Sequence, residues 1–272
     1  MGGCAILFHS VITFDAILPA GGQIDAEFAA KVGTSSKALI RFGNQTILER
    51  TIVALKETGR VGRIVVSGTE EVRNSDAAKL ATKAVASGNS GPESILNALK
   101  GLLEEPNPPK KVVVLTTDLP FLTPKLLTDF IDSCPKDVDI CMPLITRGEY
   151  QARFPHSVST FIPLQDDSWT AGNTYLMDVE ALQKAMPHLE RVFKVRKSKI
   201  GMAKLLGPAF LYRFLRKQLT VPMVEAKLKR ILGCSGAPVL NCAPELAYDI
   251  DDFEDYEYAM KFIGGEFANV GA

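Results

Sequence analysis

The residues best placed for chemistry in this chain are carboxylates and glycines that follow apolar runs. Asp118 comes just after the run VVVL, within VVVLTTDLPFLTP (residues 112–124). A carboxylate at the end of a buried strand can hold Mg2+, a hard cation that bridges phosphate oxygens and neutralises their charge during transfer. A turn cap is the alternative reading. Gly21 and Gly22 close the segment FDAILPAGGQ (residues 14–23). Without side chains they let backbone N–H groups approach an anionic ligand, although a tight turn would use the same residues. Near the other end, AYDIDDFEDY (residues 247–256) carries Asp249, Asp251, Asp252 and Asp255. The last two read as the start of a helix.

Several other chemistries lack their residues. His9, His156 and His188 stand in no metal-ligand or triad spacing, and GTSSK (residues 33–37) lacks the second glycine of a phosphate loop of the Walker type. Cys4, Cys134, Cys141, Cys234 and Cys242 are odd in number and scattered, without C-x-x-C spacing. That pattern speaks against a disulfide framework or a zinc site and for a reducing cytoplasm.

These residues need a scaffold that brings distant segments to one edge. Up to about residue 145 the sequence alternates short β-branched runs with helical stretches, the pattern of βα units feeding a mainly parallel sheet. Strands are expected at 14–18, 63–67, 84–85, 112–116 and 138–142. Helices are expected from a cap at Asn44 to Gly59, over 70–80, from Pro92 to Leu103, and from Thr123 through Ile131. Strand-like pieces follow at 158–163 and 173–177, then a long helical tract over 179–232. Strand-like pieces at 239–242 and 247–250 return the chain to the sheet. Asp252 caps a final helix with Phe253, Tyr256, Met260 and Ile263 inward. The reading is a single domain over 14–263, with a helical basic insertion at 179–235 and an N-terminal extension at 1–13.

Taken together, L-x-A-G-G at 18–22, Lys37-Ala-Leu, a short turn and the helix TILERTIVAL resemble the opening of the MobA-like NTP transferases, the superfamily of molybdenum-cofactor guanylyltransferases and of sugar- and isoprenoid-nucleotidyltransferases. D-x-P-F-x-T-P from Asp118 resembles their metal-binding segment, and YDIDDFED resembles the D-I-D-T-P-E-D segment that closes many of these domains. The resemblance implies a three-layer α/β/α Rossmann-like fold with a mostly parallel sheet. It implies that Ala20, Gly21, Gly22 and Lys37 cradle the triphosphate, and that Asp118 and Asp251 hold Mg2+, with Asp249 as a nearby or alternative ligand. It also implies that Gly88 and Ser94, in GNSGPESILNAL, meet the base and ribose, and that Gly172 and Asn173 face the acceptor. Lys37, Asp118 and Asp251 are then the catalytic set. Departing from the pattern, Pro19 sits in the loop, and fifteen positions separate Gly22 from Lys37 with Lys31 the sole cation between them.

The 272 residues carry 31 basic and 31 acidic side chains, a formal charge of zero that hides an uneven distribution. Residues 191–230 hold twelve basic residues against one acid, Glu225, so this tract is strongly basic and the remainder acidic. Such a run is a solvated helical face, a steering surface for a phosphate-bearing acceptor, or a contact for an anionic membrane or lipid phosphate. Nucleic acid has no motif to support it. No apolar run reaches the roughly 20 residues needed to cross a bilayer. The expected location is cytoplasmic, with peripheral membrane contact through 191–230 as an option.

The expected activity is Mg2+-dependent transfer of a nucleoside monophosphate from an NTP to a phosphorylated small molecule, with release of pyrophosphate. A glycosyltransferase using Asp249-Ile-Asp251 as its D-x-D metal site is the alternative enzyme. A nucleotide-binding or membrane-associated protein without catalysis is the alternative outside enzymes.

Overall fold

The computed structural model describes residues 14–196 and 198–263; the expected N-terminal extension, with Cys4 and His9, lies outside them. The described residues form eleven strands: β1 Phe14–Ala20, β2 Arg41–Phe42, β3 Gln45–Thr46, β4 Val61–Gly68, β5 Lys83–Ala86, β6 Lys111–Leu115, β7 Ile140–Thr146, β8 Ile162–Pro163, β9 Ser168–Ala171, β10 Thr174–Asp178 and β11 Gly236–Val239. Among the described residues twelve helices accompany them: α1 Ala26–Val32, α2 Ile47–Glu57, α3 Glu70–Arg73, α4 Asp76–Lys79, α5 Gly91–Leu103, α6 Pro124–Ser133, α7 Arg147–Arg153, α8 Val179–Val195, α9 Lys199–Leu206, α10 Pro208–Leu215, α11 Val221–Leu232 and α12 Phe253–Ile263.

The main sheet runs β5-β4-β1-β6-β10-β7-β9-β8, with β11 paired to β7. β5, β4, β1 and β6 are parallel, while β10 is antiparallel to both β6 and β7, so β7 again points the same way as β6. Beyond the β1–β4 register shift beside Val61, the residues of the central strands alternate between the two faces, because successive side chains of a strand face opposite sides. Leu18, Ile64, Val66, Val113 and Leu115 pack with Leu48, Ile52, Leu127 and Phe130 of α2 and α6. Ile17, Val65, Val112 and Val114 pack on the other face with Leu99, Leu102, Leu182 and Met186 of α5 and α8. This is the three-layer α/β/α arrangement. A third, aromatic cluster of Phe28, Phe121, Tyr150, Phe154 and Tyr248 joins α1, α7 and α12 beside the sheet.

Local chemistry sets the boundaries. The cap of α2 is Thr46 and not Asn44: Thr46 Oγ1 accepts from Glu49 N at 3.1 Å while Glu49 Oε2 accepts from Thr46 N at 2.6 Å, a reciprocal box that Asn44 cannot form. The helix expected over 70–80 is two, since Ser75 caps a second start. The tract after Val179 is four helices, divided by Ser198 capping α9, by Gly207 with φ +81° before Pro208, and closed by Gly233 with φ +75°. The strand expected at 239–242 forms earlier, as β11. Residues 247–250 form no strand: Pro244–Leu246 is a 3-10 turn, and Ile250 N reaches Asp118 O at 3.1 Å. In α12 the inward residues are Phe253, Tyr256, Ala259 and Phe262, whereas Met260 and Ile263 face solvent. Asp252 caps that helix as expected, its Oδ1 accepting from Asp255 N at 3.0 Å. Among the described residues no helix is long and apolar enough to cross a membrane.

Candidate functional site

The strands β1, β4 and β6 all deliver their carboxyl ends to one edge, the side on which open α/β sheets bind ligands. β1 ends at Ala20, paired with Gly68 at the end of β4. Gly21 follows in tight quarters: a Cβ there would lie 2.9 Å from Ser87 Cβ and 3.6 Å from Ser94 Oγ. The glycine is required because backbone must pass between two serines. Gly22 O then accepts from Lys37 N at 3.1 Å, and Gln23 pairs with Ser36. The fifteen-residue gap is thereby explained. It holds α1, capped by Asp25 and ended by Gly33 in the left-handed conformation, and the chain returns Lys37 to the loop it left. The stem of Lys37 lies 3.5 Å from the position a Gly22 Cβ would take.

From β6 the chain continues through Thr116 and Thr117 to Asp118. Thr117 Oγ1 donates to Pro19 O at 3.3 Å, fastening this loop to the first. Asp118 Oδ1 is buried without a hydrogen-bond partner, as are Thr116 Oγ1 and Thr174 Oγ1 around the same strand end. Buried polar atoms left unpaired are uncommon and indicate a missing partner. Burial pushes the Asp118 carboxyl above the ordinary carboxylate range; the adjacent Thr116 hydroxyl and then the Lys37 charge oppose that shift, and Asp251 adds to it.

The segment 249–251 crosses beside Asp118. Asp249 is pushed up to about 7, first by burial and then by the charges of Asp118 and Asp251, with Lys37 pulling the other way. Asp251 is exposed, and one of its oxygens, Oδ1, takes the ammonium of Lys37. Asp255 Oδ2 accepts from Asp251 N at 2.9 Å and from Asp252 N at 3.2 Å, so Asp255 shapes this turn. Lys37, Asp118, Asp249 and Asp251, from three remote segments, therefore share one electrostatic neighbourhood.

Gly88, Ser94, Gly172 and Asn173 stand on adjoining loops. Ser94 is buried, with Oγ accepting from Gly88 N at 3.0 Å, so it braces the loop that carries Gly88. Asn173 is fastened by its backbone: its N–H donates to Leu246 O at 2.8 Å and its carbonyl accepts from Thr116 N at 3.2 Å. Gly172 allows that approach, since a Cβ would sit 2.8 Å from Leu246 O and 2.9 Å from Pro143 Cβ. Arg153 is paired with Glu245 at 2.6 Å, while the Arg147 guanidinium stands 4.7 Å over the Phe161 ring. Trp169 Nε1 donates to Asp166 Oδ1 at 3.5 Å.

Ser87, Thr116 and Thr174 were not singled out in the sequence. No periodicity marks them; only their places beside Gly88, Asp118 and Asn173 do. Glu190 was also missed, and its partner is Ser90, at the start of α5.

A divalent cation fits this chemistry. Among the described residues no three His, Cys, Asp or Glu side chains converge on a common point, so the protein offers two carboxylates at most. Mg2+ is commonly held by one or two carboxylates, with water and substrate phosphates completing its shell. The unpartnered oxygen of Asp118 suits such a ligand.

The family model described as the MobA-like NTP transferase domain matches residues 16–240. Among solved structures, a hypothetical transferase from Thermus thermophilus is similar at 28% identity and a TM-score of 0.77, over 90% of this chain and 99% of that one. The 2-C-methyl-D-erythritol 4-phosphate cytidylyltransferase of Thermus thermophilus shares the fold at 14% identity and a TM-score of 0.54, over 92% and 98%. A CMP:2-keto-3-deoxy-manno-octonic acid synthetase complexed with CTP does so at 12% identity and a TM-score of 0.56, over 93% and 99%. No curated protein matches the sequence.

Proposed function

The chain belongs to the MobA-like NTP transferase domain family, and from that premise we propose that it transfers a nucleoside monophosphate from an NTP to a phosphorylated small-molecule acceptor, with Mg2+ and with release of pyrophosphate. A phosphate oxygen of the acceptor attacks the α-phosphorus. The bond from the α-phosphorus to the bridging oxygen of the β-phosphate breaks, and pyrophosphate leaves with that electron pair.

The observation that carries this reading is the enclosed, unpartnered Asp118 Oδ1 beside Lys37 and the Gly21-Gly22 loop. Asp118 and Asp251 would hold Mg2+, which neutralises phosphate charge. The chain's own residues supply alignment and electrostatics, which carry most of the catalysis in transfers of this kind. The Gly21-Gly22 backbone receives the triphosphate, and Lys37 exchanges Asp251 for phosphate oxygens. Ala20, Gly88 and Ser94 form the nucleotide side of the site; Gly172 and Asn173 form its acceptor side, where the Asn173 side chain can both donate and accept.

The basic tract serves the acceptor. Among the described residues none of its cations makes an ion pair within 4 Å, and α10 and α11 bury none of their residues, so the tract presents positive charge that can draw in anions. The acceptor's KM is expected to rise with ionic strength. A thermal-shift series with ATP, GTP, CTP and UTP tests the nucleotide reading. One nucleotide should stabilise the protein with Mg2+ present, by about 2.7 kcal/mol at 100 times its dissociation constant, and Asp118→Ala should remove the effect. Absence of stabilisation by all four nucleotides counts against it. Transfer from a nucleotide sugar without pyrophosphate would favour the glycosyltransferase instead.

A further inference from the structure

The Gly88–Ser94 loop is held mostly by itself. Gly88 N donates to Ser94 Oγ at 3.0 Å, Asn89 N to Glu93 Oε2 at 2.7 Å, and Glu93 N to Ser90 Oγ at 3.1 Å. These bonds fix the shape of the loop. Its leading end is tied to the sheet by Ser87 N, which donates to Gly68 O at 2.9 Å. Its trailing end is held by a residue one hundred positions away: Ser90 Oγ donates to Glu190 Oε1 at 2.6 Å.

Glu190 belongs to a stripe along α8. Phe193, one turn on, packs on the same loop, its ring Cε2 only 3.3 Å from the position of a Gly91 Cβ. The Arg196 guanidinium covers the Phe193 ring at 3.8 Å from its centroid. Residues three apart on a helix share a face, so carboxylate, ring and cation line one side of α8. The earlier half of this helix is anchored differently, with Leu182, Ala185 and Met186 buried against the sheet. α8 is thus seated in the core by its first half and reaches the loop with its second, Pro187 lying between the two.

We infer that Glu190 is a positioning residue for the nucleotide: through Ser90 it sets how closely the Gly88–Ser94 loop stands to the Gly21-Gly22 backbone. This rests on the proposed assignment of those two loops to the nucleotide. The distances leave little slack, because a Cβ on Gly21 would collide with Ser87 Cβ at 2.9 Å and already touch Ser94 Oγ at 3.6 Å. A loop released at Ser90 pivots at that point. A hydrogen bond to a charged group is among the stronger ones, and its removal from a binding loop is felt as affinity.

The test uses the whole chain and the four NTPs with Mg2+. For the nucleotide bound by the wild type, Glu190→Ala is expected to weaken affinity about tenfold, while Glu190→Gln, whose amide oxygen still accepts, recovers most of the loss. Ser90→Ala also loses a helix cap, so it serves in a double-mutant cycle: adding Glu190→Ala to it should cost nothing further. Amide exchange at Asn89 and Gly91 should quicken in Glu190→Ala with no nucleotide present. Glu180→Ala, on the exposed side of α8 and paired with Lys184, is the control with unchanged affinity. Wild-type affinity in Glu190→Ala, or fully additive effects in the cycle, would overturn the inference. A wild type that binds no nucleotide would instead overturn the assignment beneath it.

Discussion

Lys37 and Asp251, 214 residues apart, meet as an ion pair at the carboxyl edge of the sheet. The lysine is mostly enclosed, at 15% exposure, and the aspartate is open, at 73%. In the free protein each therefore occupies the partner that a bound nucleotide and its cation would claim. A pair with one partner open to solvent contributes little to stability, about 1 kcal/mol. Lys37→Met is accordingly expected to move the Tm by no more than about 3 °C while lowering turnover by about a hundredfold to a thousandfold. A calorimetric scan beside a pyrophosphate-release assay separates the two effects. Equal losses in both would make Lys37 a structural residue.

Asp118 presents the opposite balance. Its enclosed Oδ1 has no partner, so a charge there costs the free protein stability. Asp118→Asn should leave the free protein as stable as the wild type or more so, and abolish Mg2+-dependent stabilisation by nucleotide. Thermal melts with and without Mg2+ and nucleotide check both halves. A marked fall in the Tm of the free variant would contradict this.

Asp249 supplies a pH dependence with a definite sign. Its carboxyl titrates at about 7 in the folded protein against 3.8 for an unperturbed group. Between those values the folded chain holds a proton that the unfolded chain has released, so stability falls as pH rises across the window and levels off above it. Asp249→Asn removes the slope. Its gain in Tm over the wild type should be larger at pH 8 than at pH 5, and equal gains at both would show that the carboxyl is not perturbed.

Two glycines at the site differ in what an added methyl meets. At Gly172 it meets the carbonyl of Leu246 and the Pro143 ring, so Gly172→Ala should destabilise by about 1–3 kcal/mol. At Gly22 it meets only the Lys37 stem at 3.5 Å, an ordinary contact. Gly22→Ala should fold with a wild-type Tm and bind nucleotide more weakly, because the methyl occupies the approach to the backbone. Paired melts and nucleotide titrations would reveal the contrast or its absence.

What the sequence disclosed follows from how much apolar surface each element buries. The strands ending at Ala20, Gly68 and Leu115 bury side chains on both faces, so their apolar runs are unmistakable. α1 and α7 went unseen because each buries one residue, Phe28 and Tyr150, which makes no periodic stripe. For α7 the signal was present as a capping box, Thr146 with Glu149. The segment 247–250 has strand-like residues but no neighbour to pair with along its length. At the site, Asp118 stands out because it follows a buried strand, whereas Lys37 and Asp251 are legible only through the family resemblance. Glu190 is not, since a carboxylate on an amphipathic helix looks the same whether it faces solvent or a loop serine one hundred residues away.

Whether the Asp118 and Lys37 neighbourhood performs nucleotidyl transfer is read from pyrophosphate release. The purified protein is supplied with Mg2+, each NTP in turn and a panel of phosphorylated small molecules, beside Asp118→Ala. Nucleotidyl transfer there requires pyrophosphate formed in one-to-one ratio with a nucleoside-monophosphate adduct, from one preferred nucleotide, and none from Asp118→Ala. Pyrophosphate formed equally by the wild type and Asp118→Ala, or no pyrophosphate from any combination, would contradict it.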